Sequence, residues 1–218
     1  MNSITEENYL KAMYTISEQT GDVAAVELSK HLNIKMPTVN SMMRKLAERG
    51  LVKYESYKPY QLTEEGKKQA ALIIRKHRLT EMFLVEKMNF GWEEVHEIAE
   101  QVEHVKSPAF FEKMDQILGF PKLDPHGSPI PDKEGNIEWV SYRSLSDCEV
   151  GEQVHVVAVT NSSKEFLNFL NGKDVQLNIQ VELIEKEPFD GSVKVRYKNR
   201  EESFSKQVGD NLLVKKIS

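Results

Sequence analysis

Cysteine is almost absent: Cys148 is the only one in 218 residues. A single thiol excludes an intramolecular disulfide and any paired-cysteine zinc or redox site. Cys148 itself reads as a small buried hydrophobe. Long apolar runs are also missing, and no stretch approaches the roughly 20 residues that cross a bilayer. The opening stretch MNSITEENYLKAMYTISEQTG has neither the basic nor the apolar region of a secretion signal. The expectation is a cytoplasmic protein with no membrane partner. No glycine-rich phosphate loop and no serine–histidine–aspartate arrangement stands out, which argues against an enzyme of either kind. With 39% hydrophobic and 29% charged residues the chain is of ordinary globular composition, long enough for two or three small domains.

What is present is an uneven charge. The net charge of −5 argues against non-specific coating of nucleic acid. Between Lys30 and Lys58, however, seven basic residues (Lys30, Lys35, Arg44, Lys45, Arg49, Lys53, Lys58) stand against two acidic ones (Glu48, Glu55). That segment is net +5, so the rest of the chain sums to −10. A basic patch on an acidic chain is the electrostatic footprint of selective phosphate contact, although a solvated helix face has the same composition.

Apolar spacing predicts helices over 5–18, 24–32 (with Val26, Leu28 and Leu32 inward) and 36–50. Pro37 suits the first turn of the third helix and Gly50 its end. Two short helices joined by a tight turn read as a helix-turn-helix. LVKYESY and PYQLT then alternate about a Lys-Pro turn, which predicts a β-hairpin placed as a wing. Helices are expected over 67–88, 91–105 and 108–118. The Pro- and Gly-dense stretch 119–136 cannot be regular structure. Beyond it, EQVHVVAV, VQLNIQVELIEKE, SVKVRYK and NLLVKKIS read as strands, with SSKEFLNFL a short helix, and suggest a small bent barrel.

One stretch demands a chemical explanation. EQVEHV places Glu100, Glu103 and His104 at positions 0, +3 and +4, which share a helix face at about 5–6 Å between Cβ atoms. The carboxylates repel unless a cation sits among them, whether a protonated histidine or a divalent metal. His77 and Glu81 stand at i, i+4 on the preceding helix, as do His96 and Glu100. Neighbouring helices bearing carboxylates and imidazoles are how metal sites are built inside helical bundles. Nitrogen and oxygen donors without sulfur favour Mn²⁺ or Fe²⁺, while the Irving–Williams order keeps Zn²⁺ possible in vitro. The bland alternative is a set of surface Glu–His pairs, each contributing only about 0.2–0.5 kcal/mol.

The stretches MPTVNSMMRKLAERGLV, RKHRLTEMFL, VHEIAEQVEHV and DPHGSPIP, in this order, identify a resemblance that covers essentially the whole chain. It resembles the diphtheria-toxin-repressor family of iron- and manganese-dependent transcriptional regulators, in the long form with a C-terminal SH3-like domain. The implied fold is mainly α with a small β domain: a winged helix-turn-helix (1–66), a helical dimerisation and metal-binding domain (67–140) and an SH3-like β-barrel (141–218). The resemblance places His77, Glu81 and His96 on an ancillary metal site, and Glu100, Glu103 and His104 on a primary site with Asn8. Glu100 stands where iron-responsive members carry cysteine and manganese-responsive members glutamate, which leans toward Mn²⁺. Asn8 departs from the aspartate or methionine usual there, and Lys11 replaces a carboxylate that some members use for a paired metal. The SH3-like domain can lend a ligand, for which Ser162 and Glu165 are the nearest candidates.

The recognition helix is expected to present Lys35, Pro37, Thr38, Asn40, Ser41 and Arg44 to the major groove, with Tyr54 and Lys58 on the wing touching the DNA backbone. Asn40 and Ser41 are suited to base edges, Lys35 and Arg44 to phosphates, and Pro37 and Thr38 to thymine methyl groups. Specificity then requires a homodimer on a palindromic operator. The expected function is a metal-dependent repressor of metal-homeostasis genes, not an enzyme. Two alternatives are a winged-helix regulator with a non-metal ligand and a helical-bundle metalloenzyme; the latter leaves the winged helix unexplained.

Overall fold

The structure is a computed structural model and describes residues 2–56 and 58–217. Tyr57, the last residue of the expected wing strand LVKYESY, lies outside the described residues. The backbone resolves into two compact units. Unit 1 comprises Met1–Thr80, Glu97–Lys122 and Ile130–Glu138; unit 2 comprises Glu81–His96, Leu123–Pro129 and Trp139–Ser218.

Unit 1 begins with α1 (Ile4–Thr20), whose start is set by a capping box. The Ser3 hydroxyl accepts from the Glu6 N–H, and the Glu6 carboxylate accepts from the Ser3 N–H, satisfying two otherwise orphaned donors. α2 (Ala25–His31) and α3 (Met36–Glu48) follow. Asn33, at φ 53°, makes the tight turn between them. Pro37 occupies the first turn of α3, as its missing N–H allows. The wing is β1 (Val52–Lys53) paired antiparallel with β2 (Gln61–Leu62). Val26, expected inward, is 51% exposed, and Leu28 alone is the buried residue of α2. The core joins Tyr9, Leu10 and Met13 of α1 to Leu28, Val39, Met43 and Leu46, and to Tyr60 and Leu62 of the wing.

α4 (Glu64–Met88) follows the wing. Gly66 is required there: a Cβ would stand 2.0 Å from the Leu51 carbonyl oxygen. α5 is shorter than the sequence suggests, His96–Val102 in place of 91–105. Asn89 adopts a left-handed φ of 58°, and the Glu94 carboxylate accepts from the Gly91 N–H, so 91–95 forms turns. Glu103 and His104 therefore sit in the turn after α5, although the Glu103 N–H still bonds the Ala99 carbonyl. α6 (Pro108–Leu118) starts at a proline and ends at Gly119 in the left-handed region.

Unit 2 carries a six-stranded antiparallel sheet of order β3-β8-β4-β5-β6-β7. The strands are β3 (Arg143–Ser144), β4 (Gln153–Val159), β5 (Gln180–Lys186), β6 (Val193–Tyr197), β7 (Arg200–Phe204) and β8 (Leu212–Lys216). α7 (Lys164–Gly172) follows β4 and α8 (Lys206–Asn211) precedes β8. Alternate residues point inward, Val154 and Val156 from β4, Val181 and Leu183 from β5, against Leu167 and Leu170 of α7. β5 starts five residues later than VQLNIQVELIEKE implies, because Asn178 takes φ 66° and breaks the extended run. β7 was not legible as a strand. Its charges are cross-strand partners of β6, Glu201 pairing with Lys194 (2.7 Å) and Arg196 (2.7 Å), and charge protects an edge strand.

Glu152, just before β4, pairs with Arg143 (2.8 Å) and Lys216 (3.3 Å) and accepts from the Glu149 N–H. The Arg143 hydrogen bond first, then the Glu149 amide and Lys216, hold its pKa down at about 2. A carboxylate depressed in the folded state stabilises fully above its unfolded value of 4.5, and the contribution is lost as pH falls toward about 2. Urea unfolding between these pH values is expected to show a weaker pH dependence in Glu152→Gln than in the wild type.

Candidate metal centre and nucleic-acid interface

In unit 1 the residues of the EQVEHV stretch meet α1. Glu103 is fully buried. Its two oxygens accept from the Lys11 ammonium at 2.8 and 2.9 Å, and Oε2 lies 2.6 Å from His77 Nδ1. The same ammonium bonds Glu100 Oε1. His104 places Nδ1 2.6 Å from Glu7 Oε2 and Nε2 3.7 Å from Glu103 Oε1. Nδ1 is thus turned to Glu7 and Nε2 toward Glu103; a carboxylate behind an imidazole is the arrangement that orients a ligating histidine. Asn8, one turn before Lys11 on α1, has a buried Oδ1 with no hydrogen-bond partner. The cation among these carboxylates is thus Lys11, which the sequence marked only as a lost carboxylate.

In unit 2, Glu81 of α4 is buried and faces two imidazoles, His96 Nδ1 at 3.5 Å and His126 Nδ1 at 3.6 Å. Glu81, Asp124 and His126 each offer one atom within 4.8 Å of the others, and all three are buried. The loop DPHGSPIP is shaped by Asp124, whose Oδ1 accepts from the His126 and Ser128 N–H groups at 2.8 and 2.9 Å. His126 Nε2 donates to the Trp92 carbonyl at 2.9 Å, which leaves Nδ1 toward Glu81. Burial opposes protonation of His126, but the Glu81 hydrogen bond and the charges of Glu81 and Asp124 prevail and raise its pKa. This cluster attracts positive charge. Its donor set, one imidazole and two carboxylates, all buried, fits a borderline-to-hard divalent ion.

Asp124 and His126 carry no ligand spacing of their own in the sequence; the Asx turn that DPHG forms is the signal that marks them. Glu7 had no signal, because it lies 97 residues from His104. Glu165 and Ser162 are exposed, and neither is in the Glu81–Asp124–His126 group.

Also in unit 1, Lys35, Pro37, Thr38, Ser41 and Arg44 are exposed on or just before α3. Asn40 is half-buried, and its Oδ1 accepts from the Tyr60 hydroxyl at 2.5 Å. Tyr54 stacks on Tyr60 (centroids 5.9 Å apart), and the Arg44 guanidinium lies over its ring at 5.8 Å. Tyr54 therefore braces the recognition helix. Lys45 and Arg49 are paired with Glu6 (3.2 and 2.9 Å) and Lys58 with Glu55 (2.8 Å). Among the described residues, Lys30, Lys35, Arg44 and Lys53 are the cations of the basic segment without an ion pair. Tyr60→Phe is expected to keep the fold, at about 1 kcal/mol for the lost hydrogen bond. Where Asn40 reads a base edge, as the sequence leads one to expect, freeing its amide lowers discrimination at that base pair severalfold, measured by anisotropy on duplexes altered one pair at a time.

A helix-turn-helix with a wing, helices carrying buried carboxylate–imidazole clusters and a six-stranded β domain together define the class of metal-dependent winged-helix repressors. Residues 1–59 match the iron-dependent repressor N-terminal DNA-binding domain, 63–132 the iron-dependent repressor metal-binding and dimerisation domain, and 143–216 the FeoA domain. The chain belongs to the iron-dependent repressor family. It is 33% identical over 127 residues to the iron-dependent repressor IdeR of Mycobacterium tuberculosis, an alignment of 58% of this chain and 55% of that protein. The chain thus spans about half the length of the mycobacterial relatives it matches. An HTH-type transcriptional regulator of Methanocaldococcus jannaschii is 37% identical over 109 residues, 50% of this chain and 87% of that one. A manganese-dependent transcriptional repressor in complex with manganese superposes with a TM-score of 0.87 at 28% identity, covering 97% of this chain and 100% of the other.

Proposed function

We propose that this chain is a metal-activated transcriptional repressor of metal-ion homeostasis genes, with Mn²⁺ favoured over Fe²⁺ as its activating ion. The observation that carries the reading is the pair of buried carboxylate–imidazole clusters on a chain that also presents an exposed recognition helix. Within unit 1, Glu7 and Asn8 lie on α1, which packs into the helix-turn-helix core, while Glu100, Glu103 and His104 lie on α5 and its following turn. A bound divalent cation would supply the positive charge that these donors share. His104, oriented by Glu7, and Glu103 are the residues that hold the two segments in one arrangement. Such a link favours the DNA-competent state only through the difference in affinity between the two states.

In this reading three domains share the work: 1–66 for DNA, 67–140 for dimerisation and metal, and 141–218 as the SH3-like module. Asn8, Glu100, Glu103 and His104 form the proposed primary site in unit 1, where His77, expected as an ancillary ligand, packs against Glu103; Glu81 and His96 are the proposed ancillary ligands in unit 2. Asp124 and His126 are added as ligands beside Glu81; Glu165 remains a candidate only through the resemblance. Exposed Phe110 and Ile117 of α6, with Phe120 just after it, support a homodimer face. Among the described residues no helix is long and apolar enough to cross a membrane; the cytoplasmic, non-enzymatic role is proposed on the likeness to transcriptional repressors. Selection of bound duplexes from a random library in the presence of Mn²⁺ tests the reading. An inverted repeat with half-sites about one helical turn apart is expected. Recovery of single half-sites, or no enrichment, contradicts it.

A further inference from the structure

Lys11 is the feature of the carboxylate cluster that the proposed function does not use. Its ammonium makes three hydrogen bonds, two to Glu103 and one to Glu100, which equals the number of donors it has. The side chain is only 18% exposed. Glu103 is fully buried and needs a positive partner in every state of the protein, because an unpaired interior carboxylate is strongly destabilising. Lys11 meets that need from within the chain. Meanwhile Asn8, which shares a face of α1 with Lys11 at the i, i+3 spacing, keeps a buried acceptor oxygen that no donor uses.

We propose that Lys11 is a tethered cation of the Glu100–Glu103 cluster, so that a divalent ion enters this cluster only by displacing the Lys11 ammonium. The inference rests on the metal-binding reading above. The Lys11 ammonium spends all three donors on the Glu103 and Glu100 oxygens that a divalent ion would need, so the two cations compete for the same acceptors and repel each other across a short distance. Displacement breaks three charge-assisted hydrogen bonds, so metal must outbid the lysine. Its flexible stem and partial exposure give the ammonium a way out toward solvent. Asn8 Oδ1 and His104 Nε2 are then the donors an incoming ion gains that Lys11 does not engage. Lys11 thereby sets the metal concentration at which the cluster fills.

The test is calorimetric titration of metal-stripped full-length protein with Mn²⁺, for wild type, Lys11→Met and the double variant Lys11→Met/Glu103→Gln. Lys11→Met is expected to bind one ion more than wild type over the same concentration range, or to bind an existing one at least tenfold tighter. The gain disappears in the double variant. Equal stoichiometry and affinity in wild type and Lys11→Met overturn the inference while leaving the metal reading intact. No Mn²⁺ bound by either overturns both. Thermal unfolding gives a second readout: Mn²⁺ raises the midpoint of Lys11→Met more than that of wild type, and equal rises contradict the proposal. Should Lys11→Met be unfolded without metal, recovery of structure on adding Mn²⁺ supports it and failure to recover overturns it. Lys11→Arg, which keeps the charge, is expected to bind Mn²⁺ as wild type does.

Discussion

Glu103→Ala is expected to destabilise unit 1 by about 3–5 kcal/mol, the range for removing one member of a buried ion pair. Glu103 is the meeting point of three elements. It accepts from Lys11 on α1 and from His77 on α4, and it follows α5 directly. Truncation takes two of the three acceptor contacts from the Lys11 ammonium and the short hydrogen bond from His77, and opens a void where the carboxylate stood. Small domains are stable by only about 5–15 kcal/mol, so a loss of this size moves the unfolding transition far down. Urea unfolding monitored by far-ultraviolet circular dichroism reads it. Glu103→Gln keeps the volume and one acceptor oxygen, and is expected to cost distinctly less. If both substitutions prove neutral, Glu103 is not the anchor that its geometry indicates.

The second large effect concerns the other cluster. Glu81→Gln retains the size of the side chain and removes the charge that faces His96 and His126. Loss of a ligating carboxylate is expected to weaken divalent-ion binding in unit 2 by at least about a hundredfold, equivalent to about 2.8 kcal/mol. The β domain should remain folded, because Glu81 is not among the residues of its core of Val154, Leu167, Leu183 and Val195. His126→Ala is the less clean probe, since its ring also stacks on Trp92, with centroids 5.9 Å apart, and loses that contact too. Equilibrium dialysis against Mn²⁺, with the unfolding midpoint measured alongside, separates the two consequences. Unchanged affinity in Glu81→Gln would remove the unit 2 cluster from the proposed mechanism.

Much of the fold is legible in local chemistry. Pro37 and the apolar spacing of Val39, Met43 and Leu46 mark α3 without any tertiary information. The Pro- and Gly-dense stretch 119–136 holds no helix or strand beyond the last turn at its start, as its composition demands. Boundaries were less legible where one backbone angle decides them. Asn89 and Asn178 each take a left-handed φ, shortening the elements that follow, and asparagine is a weak signal of that choice. The metal-type residues were legible as types at helical spacing; their grouping was not. Glu7 and Lys11 reach their partners across 89–97 residues of chain, a relation that no periodicity encodes. Tyr60 is similar: its spacing marks a strand residue, and only the folded wing brings its hydroxyl to Asn40.

The central claim is that metal occupancy governs DNA binding. Fluorescence anisotropy of metal-stripped protein on its own upstream DNA, at one fixed salt concentration because phosphate contacts make affinity salt-dependent, tests it directly with Mn²⁺, anaerobic Fe²⁺, Zn²⁺ or Mg²⁺ added in turn. Tight binding that appears with Mn²⁺ or Fe²⁺, is absent with Mg²⁺ and is reversed by chelator is the predicted result. Binding of equal strength with every ion and with none would leave a DNA-binding protein whose buried clusters are structural, and would contradict the account.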